Sequence, residues 1–109
     1  MPVDLKGLRK EFDGADGTFL LVLRNGLRWD KALFERLVSL MRDYAANHDL
    51  ESDIPQWIAE GFWYLDWFPR QWVSHESFPR EYPDEYYDEA LGTFHNLAYW
   101  LFVGEKVDL

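Results

Sequence analysis

Trp63 and Trp67 stand one helical turn apart, with Glu60 one turn before them and Asp66 between them. Plotted at 100° per residue, both indoles fall on the polar side of an otherwise amphipathic segment, between Gln56 and Glu60 and flanked by Tyr64 and Asp66. A second group, Glu85, Asp88 and Glu89, gathers near the start of a later segment whose outer side also carries Tyr99. These residue types bind rather than transform. Carboxylates meet Lys and Arg of a partner and speed the encounter, and flat rings supply area that gains from losing water.

Bond-making chemistry has no comparable signature. The serine elbow, the phosphate-cradling Gly-Lys-Ser/Thr loop, His-Glu-x-x-His and the Glu-x-x-His pair of di-iron bundles are all missing. Asp13-Gly14-Ala15-Asp16-Gly17 spaces its acids three apart, without the bidentate Glu of a calcium loop, and reads as a turn. Three histidines remain: His48 beyond a helix end, His75 beside Glu76, and His95 at the border of the last segment. A metal would need His75 and His95 to converge with Asp88 or Glu76, a meeting that no ligand spacing announces. The expectation is therefore no catalytic residue, no metal and no cofactor.

Charge is unevenly distributed. Residues 43–109 hold fourteen Asp/Glu against three Lys/Arg, whereas residues 1–42 hold six against eight, within a formal net charge of −9. Such a surface repels phosphates, so free nucleic acid is not an expected ligand. Cysteine is absent, which excludes disulfide frameworks and thiol nucleophiles and fits a reducing compartment. The opening Met1-Pro2-Val3-Asp4-Leu5-Lys6 lacks the basic-then-apolar order of a signal peptide, and the run from Phe19 to Leu23 is far too short to span a bilayer. A cytoplasmic, membrane-free chain is the resulting expectation.

The elements that must position these side chains follow from periodicity. Leu5, Leu8 and Phe12 predict a short helix over 3–12, and Phe19-Leu20-Leu21-Val22-Leu23 predicts a buried helix ended by Asn25-Gly26, with a hairpin strand as the alternative. Asp30 caps a helix whose inner face is Leu33, Phe34, Leu37, Val38, Met41, Tyr44 and Ala45. Pro55 suits the first position of a helix that stops near Phe68, before Pro69. Residues 69–83 read as an irregular crossing, and Asp84 caps a last helix running to Val103 and closed by Gly104. Gly92, inside that helix, suggests close approach of a neighbouring helix. The sum is one domain, an all-α compact bundle of four to five helices.

Two arrangements of Trp63 and Trp67 are open: burial under the 69–83 crossing or a homodimer seam, or exposure as a recognition patch. Exposure leads to a small acidic binder of the immunity or antitoxin type. In it Glu60, Asp66, Glu85, Asp88 and Glu89 would meet the basic residues of a toxin or nuclease-like enzyme, and Trp63, Trp67 and Tyr99 would anchor it. The alternatives are a DNA-mimicking inhibitor of the anti-restriction or anti-CRISPR kind, which needs carboxylates more than rings, and a small-molecule-binding bundle. In the last, Trp63, Trp67, Trp72 and Tyr86 would surround one pocket.

Overall fold

A computed structural model describes residues 3–106, so Met1 and Pro2 of the N-terminal reading lie outside the described residues. Five helices follow in order: α1 (Leu5–Asp13), α2 (Phe19–Gly26), α3 (Lys31–Asn47), α4 (Gln56–Ser74) and α5 (Asp84–Val103), with no strand among the described residues. The all-α expectation stands, and the hairpin alternative for Phe19–Leu23 does not. The Cα radius of gyration, 13.7 Å, is close to the roughly 13 Å of a compact chain this long. No helix among the described residues is long and apolar enough to cross a membrane.

Side-chain caps start the first three helices. Asp4 Oδ1 accepts from the Gly7 amide at 2.8 Å, Thr18 Oγ1 from Leu21 at 3.4 Å, and Asp30 Oδ1 from Leu33 at 3.0 Å. The Leu33 amide bond, helped by Arg28, holds the Asp30 carboxyl below the usual carboxylate range. α1 ends in left-handed Gly14 and α5 in left-handed Gly104, whose N–H reaches the Trp100 carbonyl. α2 closes differently from expectation: Gly26 stays helical and Leu27 takes the left-handed conformation, φ 49°.

α4 and α5 form the most extensive pairing, an antiparallel hairpin, and α3 packs on α5. The core joins Leu23, Phe19, Phe34, Leu37, Met41 and Ile58 to Phe62, Leu65, Tyr87, Phe94 and Leu97. Trp29, in the short link before α3, is almost fully buried. It meets Phe19 and Tyr87 edge-on at 4.8 and 5.4 Å, and its indole N–H donates to the Tyr86 hydroxyl at 3.0 Å. Gly61 admits the Phe12 ring directly onto the α4 backbone, where a Cβ would collide with it.

Three boundaries depart from the sequence reading. α4 does not stop at Phe68; it runs through Pro69 to Ser74, and Pro55 is its N-cap rather than its first turn. An internal proline costs about 3 kcal/mol, but here Phe68, Pro69 and Val73 are buried and the Trp72 indole donates to the Leu23 carbonyl at 2.9 Å. That bond satisfies a carbonyl of the α2 C-terminal turn, which lacks an intrahelical partner. The irregular crossing accordingly shrinks to 75–83, and Pro83 rather than Asp84 occupies the cap of α5. Gly92, finally, meets no neighbour: a Cβ there would have nothing within 4 Å, so the expected close helix approach is absent.

Among the described residues Glu11 is the one charged side chain that is buried, 3 % exposed. Its Oε2 accepts from Arg36 at 3.1 Å, and Arg36 also donates to the Gly17 carbonyl at 2.6 Å. Desolvation pushes the Glu11 carboxyl above its ordinary range, against the pull of Arg36 and the Phe19 amide. This pair ties α1 and α3 across the turn before α2.

Candidate protein-binding surface on the α4–α5 hairpin

α4 spends its inner face on Ile58, Phe62, Leu65 and Phe68, which leaves positions 63 and 67 pointing away from the bundle. Trp63 is 57 % exposed and Trp67 46 %. Their rings lie nearly parallel, 12° apart, with centroids at 5.6 Å. Behind them Tyr64 stacks on Phe68 at 5.0 Å and leans on Trp67 at 6.3 Å, so the outer pair rests on an inner pair. Neither indole N–H has a hydrogen-bond partner among the described residues. The crossing does not cover these rings.

Asp66 lies between the two indoles in sequence and faces α5, where His95 Nδ1 comes within 3.2 Å of both carboxylate oxygens. Trp63, Asp66, Trp67 and His95, with Arg70, line a shallow hollow of about 410 Å³. Sequence reasoning missed Arg70 and His95 as members of this site. Arg70 stands past Pro69, where the helix was expected to have ended. The neighbourhood of His95 depends on the phase of α5 against α4, which periodicity alone does not give.

The other predicted residues are near but separate. Glu85, Asp88 and Glu89 are exposed on α5 and make no ion pair among the described residues. At 1.5 Å rise per residue, Asp88 lies about 10 Å along the helix from His95 and Glu85 about 15 Å. Tyr99, 37 % exposed, stands one turn beyond His95, further along α5 from the acids. Glu60 is exposed one turn before Trp63 but lines a different cleft, between α4 and the first two helices. The structure thus brings Trp63, Asp66 and Trp67 together with His95, and places the acids of the α5 N-terminus further along the same hairpin.

Part of the acidic surplus has a structural use. Arg80 donates to Asp84 at 2.8 Å and to the Val73 carbonyl at 3.0 Å, with its guanidinium over the Tyr87 ring. The Tyr87 hydroxyl accepts from the Glu81 and Tyr82 amides at 3.1 and 3.4 Å. Lys31 rests on the rings of Tyr82 and Tyr86 at 4.1 and 4.4 Å. These contacts fix the 75–83 crossing and with it the turn of the hairpin.

The single aromatic pocket does not form. Trp72 lines a small apolar hollow with Leu27 and Phe78, Tyr86 is engaged with Trp29, and the Trp63–Trp67 pair faces elsewhere. Nor do the histidines converge. His75 Nδ1 accepts from the Ser77 amide at 3.1 Å, His48 stacks on Tyr44, and no group of three or more His, Asp or Glu among the described residues is arranged to hold a metal. The sequence matches no protein-family model, and neither a curated protein nor a solved structure shows significant similarity to the chain.

Proposed function

We propose that this chain is a binding protein that captures a basic protein partner on the α4–α5 hairpin, as an immunity or antitoxin-type inhibitor does. The observation that carries the reading is the exposed, parallel Trp63–Trp67 pair beside Asp66. Large exposed apolar patches on a small domain mark interaction sites, and buried aromatic anchors dominate interface energetics. Glu85, Asp88 and Glu89 carry no partner of their own among the described residues, which leaves their charge available for Lys and Arg that an enzyme uses on phosphates. Inhibition would proceed by occlusion, with no catalytic step, no cofactor and no contact with nucleic acid or membrane. A cytoplasmic site of action belongs to the same proposal and rests on the absence of cysteine.

One observation favours a second reading. The hollow holds both Asp66 and Arg70, so two copies related by a two-fold axis would be self-complementary, each Arg70 facing the other copy's Asp66. Sedimentation of the purified chain separates the two. A monomer at micromolar concentration that forms a stoichiometric complex with a basic protein from the source cell supports the inhibitor. A dimer that Trp67→Ala dissociates supports the seam instead. A DNA-mimicking inhibitor predicts that acid-to-amide changes abolish binding while Trp changes leave it intact, an outcome that sinks the aromatic anchor.

A further inference from the structure

A second concave feature lined by charged residues lies between other helices, and the reading of it does not depend on the hairpin hollow. A cleft of about 330 Å³ opens between α1, α2 and α4. Phe12, Leu20, Trp57 and Tyr64 form its apolar walls, and Arg9, Asp13, Arg24 and Glu60 stand around it. Phe12 meets Trp57 edge-on at 6.1 Å, and the Arg9 guanidinium lies over the Trp57 ring at 4.9 Å. The volume falls within the range of small-molecule sites.

The charges there are balanced but not spent on one another. Arg9 reaches Asp13 only through a long 3.4 Å contact in which both side chains are exposed, worth little in water. Arg24 and Glu60 make no ion pair with each other or with any other described residue. Gly14 leaves room for the Arg24 guanidinium, which lies 2.9 Å from where a Cβ would be. Two cations and two anions around one cleft disfavour a polyanion such as a nucleotide, because Asp13 and Glu60 would face its phosphates. They equally disfavour a polycation. A ligand that carries a cationic and an anionic group on one carbon satisfies both ends, and the rings between them favour a flat or apolar substituent.

We infer that this cleft binds a free α-amino acid with an apolar or aromatic side chain: its carboxylate on Arg24, its ammonium group on Glu60, its side chain against Trp57 and Tyr64. The test is a titration of the full chain with L-phenylalanine, followed by calorimetry and by the Trp57 indole N–H resonance. N-acetyl-L-phenylalanine (no ammonium) and 2-phenylethylamine (no carboxylate) serve as comparators. Saturable binding with a dissociation constant on the order of 1 mM or tighter, the affinity a ligand of this size supports, is the expected result. Each comparator should bind at least about tenfold more weakly, and so should Arg24→Gln and Glu60→Gln, the loss expected when one charge-assisted contact is removed. Both side chains are exposed, so the variants should melt as the parent does. The inference is overturned by a lack of saturation up to about 20 mM, by either comparator binding as well as L-phenylalanine, or by a folded variant that keeps parental affinity.

Discussion

Truncating Trp67 separates the two things an aromatic side chain can do here. The ring is 46 % exposed, so of the 200–250 Å² an indole side chain can bury, roughly 100 Å² is still in water. Covering that area at about 25 cal/mol per Å² contributes about 2.5 kcal/mol, and covering half of it about 1.2 kcal/mol. Trp67→Ala should therefore weaken partner binding roughly tenfold to sixtyfold. The cost to folding is smaller, because the ring lies outside the core and its aromatic contacts are with Trp63 and Tyr64. Loss of those contacts costs about 1 kcal/mol, partly offset by the higher helix propensity of alanine. Urea melts of the variant should shift by about 1 kcal/mol or less, while titration against the purified partner moves by an order of magnitude. A variant that melts normally and binds at parental affinity refutes the anchor. One that unfolds shows the ring to be structural.

The remaining predictions address charge, packing and pH. Asp88→Lys combined with Glu89→Lys should slow association with the partner and flatten its dependence on salt, read by stopped-flow at two ionic strengths; unchanged kinetics would remove the acids from the interface. Gly61→Ala should destabilise by about 1–3 kcal/mol because the Phe12 ring occupies the space a Cβ needs. Gly92→Ala, with open space around it, should stabilise by up to about 1 kcal/mol. Equal effects in thermal melts would contradict that packing. Because burial raises the Glu11 carboxyl above its ordinary value of 4.5, the folded state holds a proton longer than the unfolded chain does. Glu11 thus favours folding at low pH and loses that advantage as pH rises from 4.5 through the raised folded value. The difference in stability between Glu11→Gln and the parent should grow in the variant's favour across this window, and a flat difference would show the carboxyl to be fully compensated.

How much of this was legible in the sequence differs between elements for physical reasons. α3 and the end of α5 announce themselves, because Asp30 and Gly104 are local signals and the apolar period is strict. Pro69 misleads because its local rule is overridden by tertiary burial of Pro69 and Val73 and by the Trp72 bond to the Leu23 carbonyl, which no window of sequence weighs. Trp29 escapes because it sits in a link, outside any periodic face, yet becomes a centre of the aromatic core. The outward direction of Trp63 and Trp67 is a property of α4 alone and could be read at 100° per residue. Their neighbours could not: Arg70 lay beyond the expected helix end, and His95 arrives from α5 with the packing. Arg80, which takes up Asp84, likewise required the crossing to be folded before its role was visible.

The locked turn of the α4–α5 hairpin has a kinetic consequence. With Tyr87 gripping the backbone of residues 81 and 82 and Arg80 bridging Val73 to Asp84, the two helices that carry the indoles and the outer carboxylates are tied together at their turn before any encounter. A docking molecule then pays little ordering entropy on this side. Residence time would be set by how well its own groups fill the hollow, and substitutions there would act on escape more than on arrival.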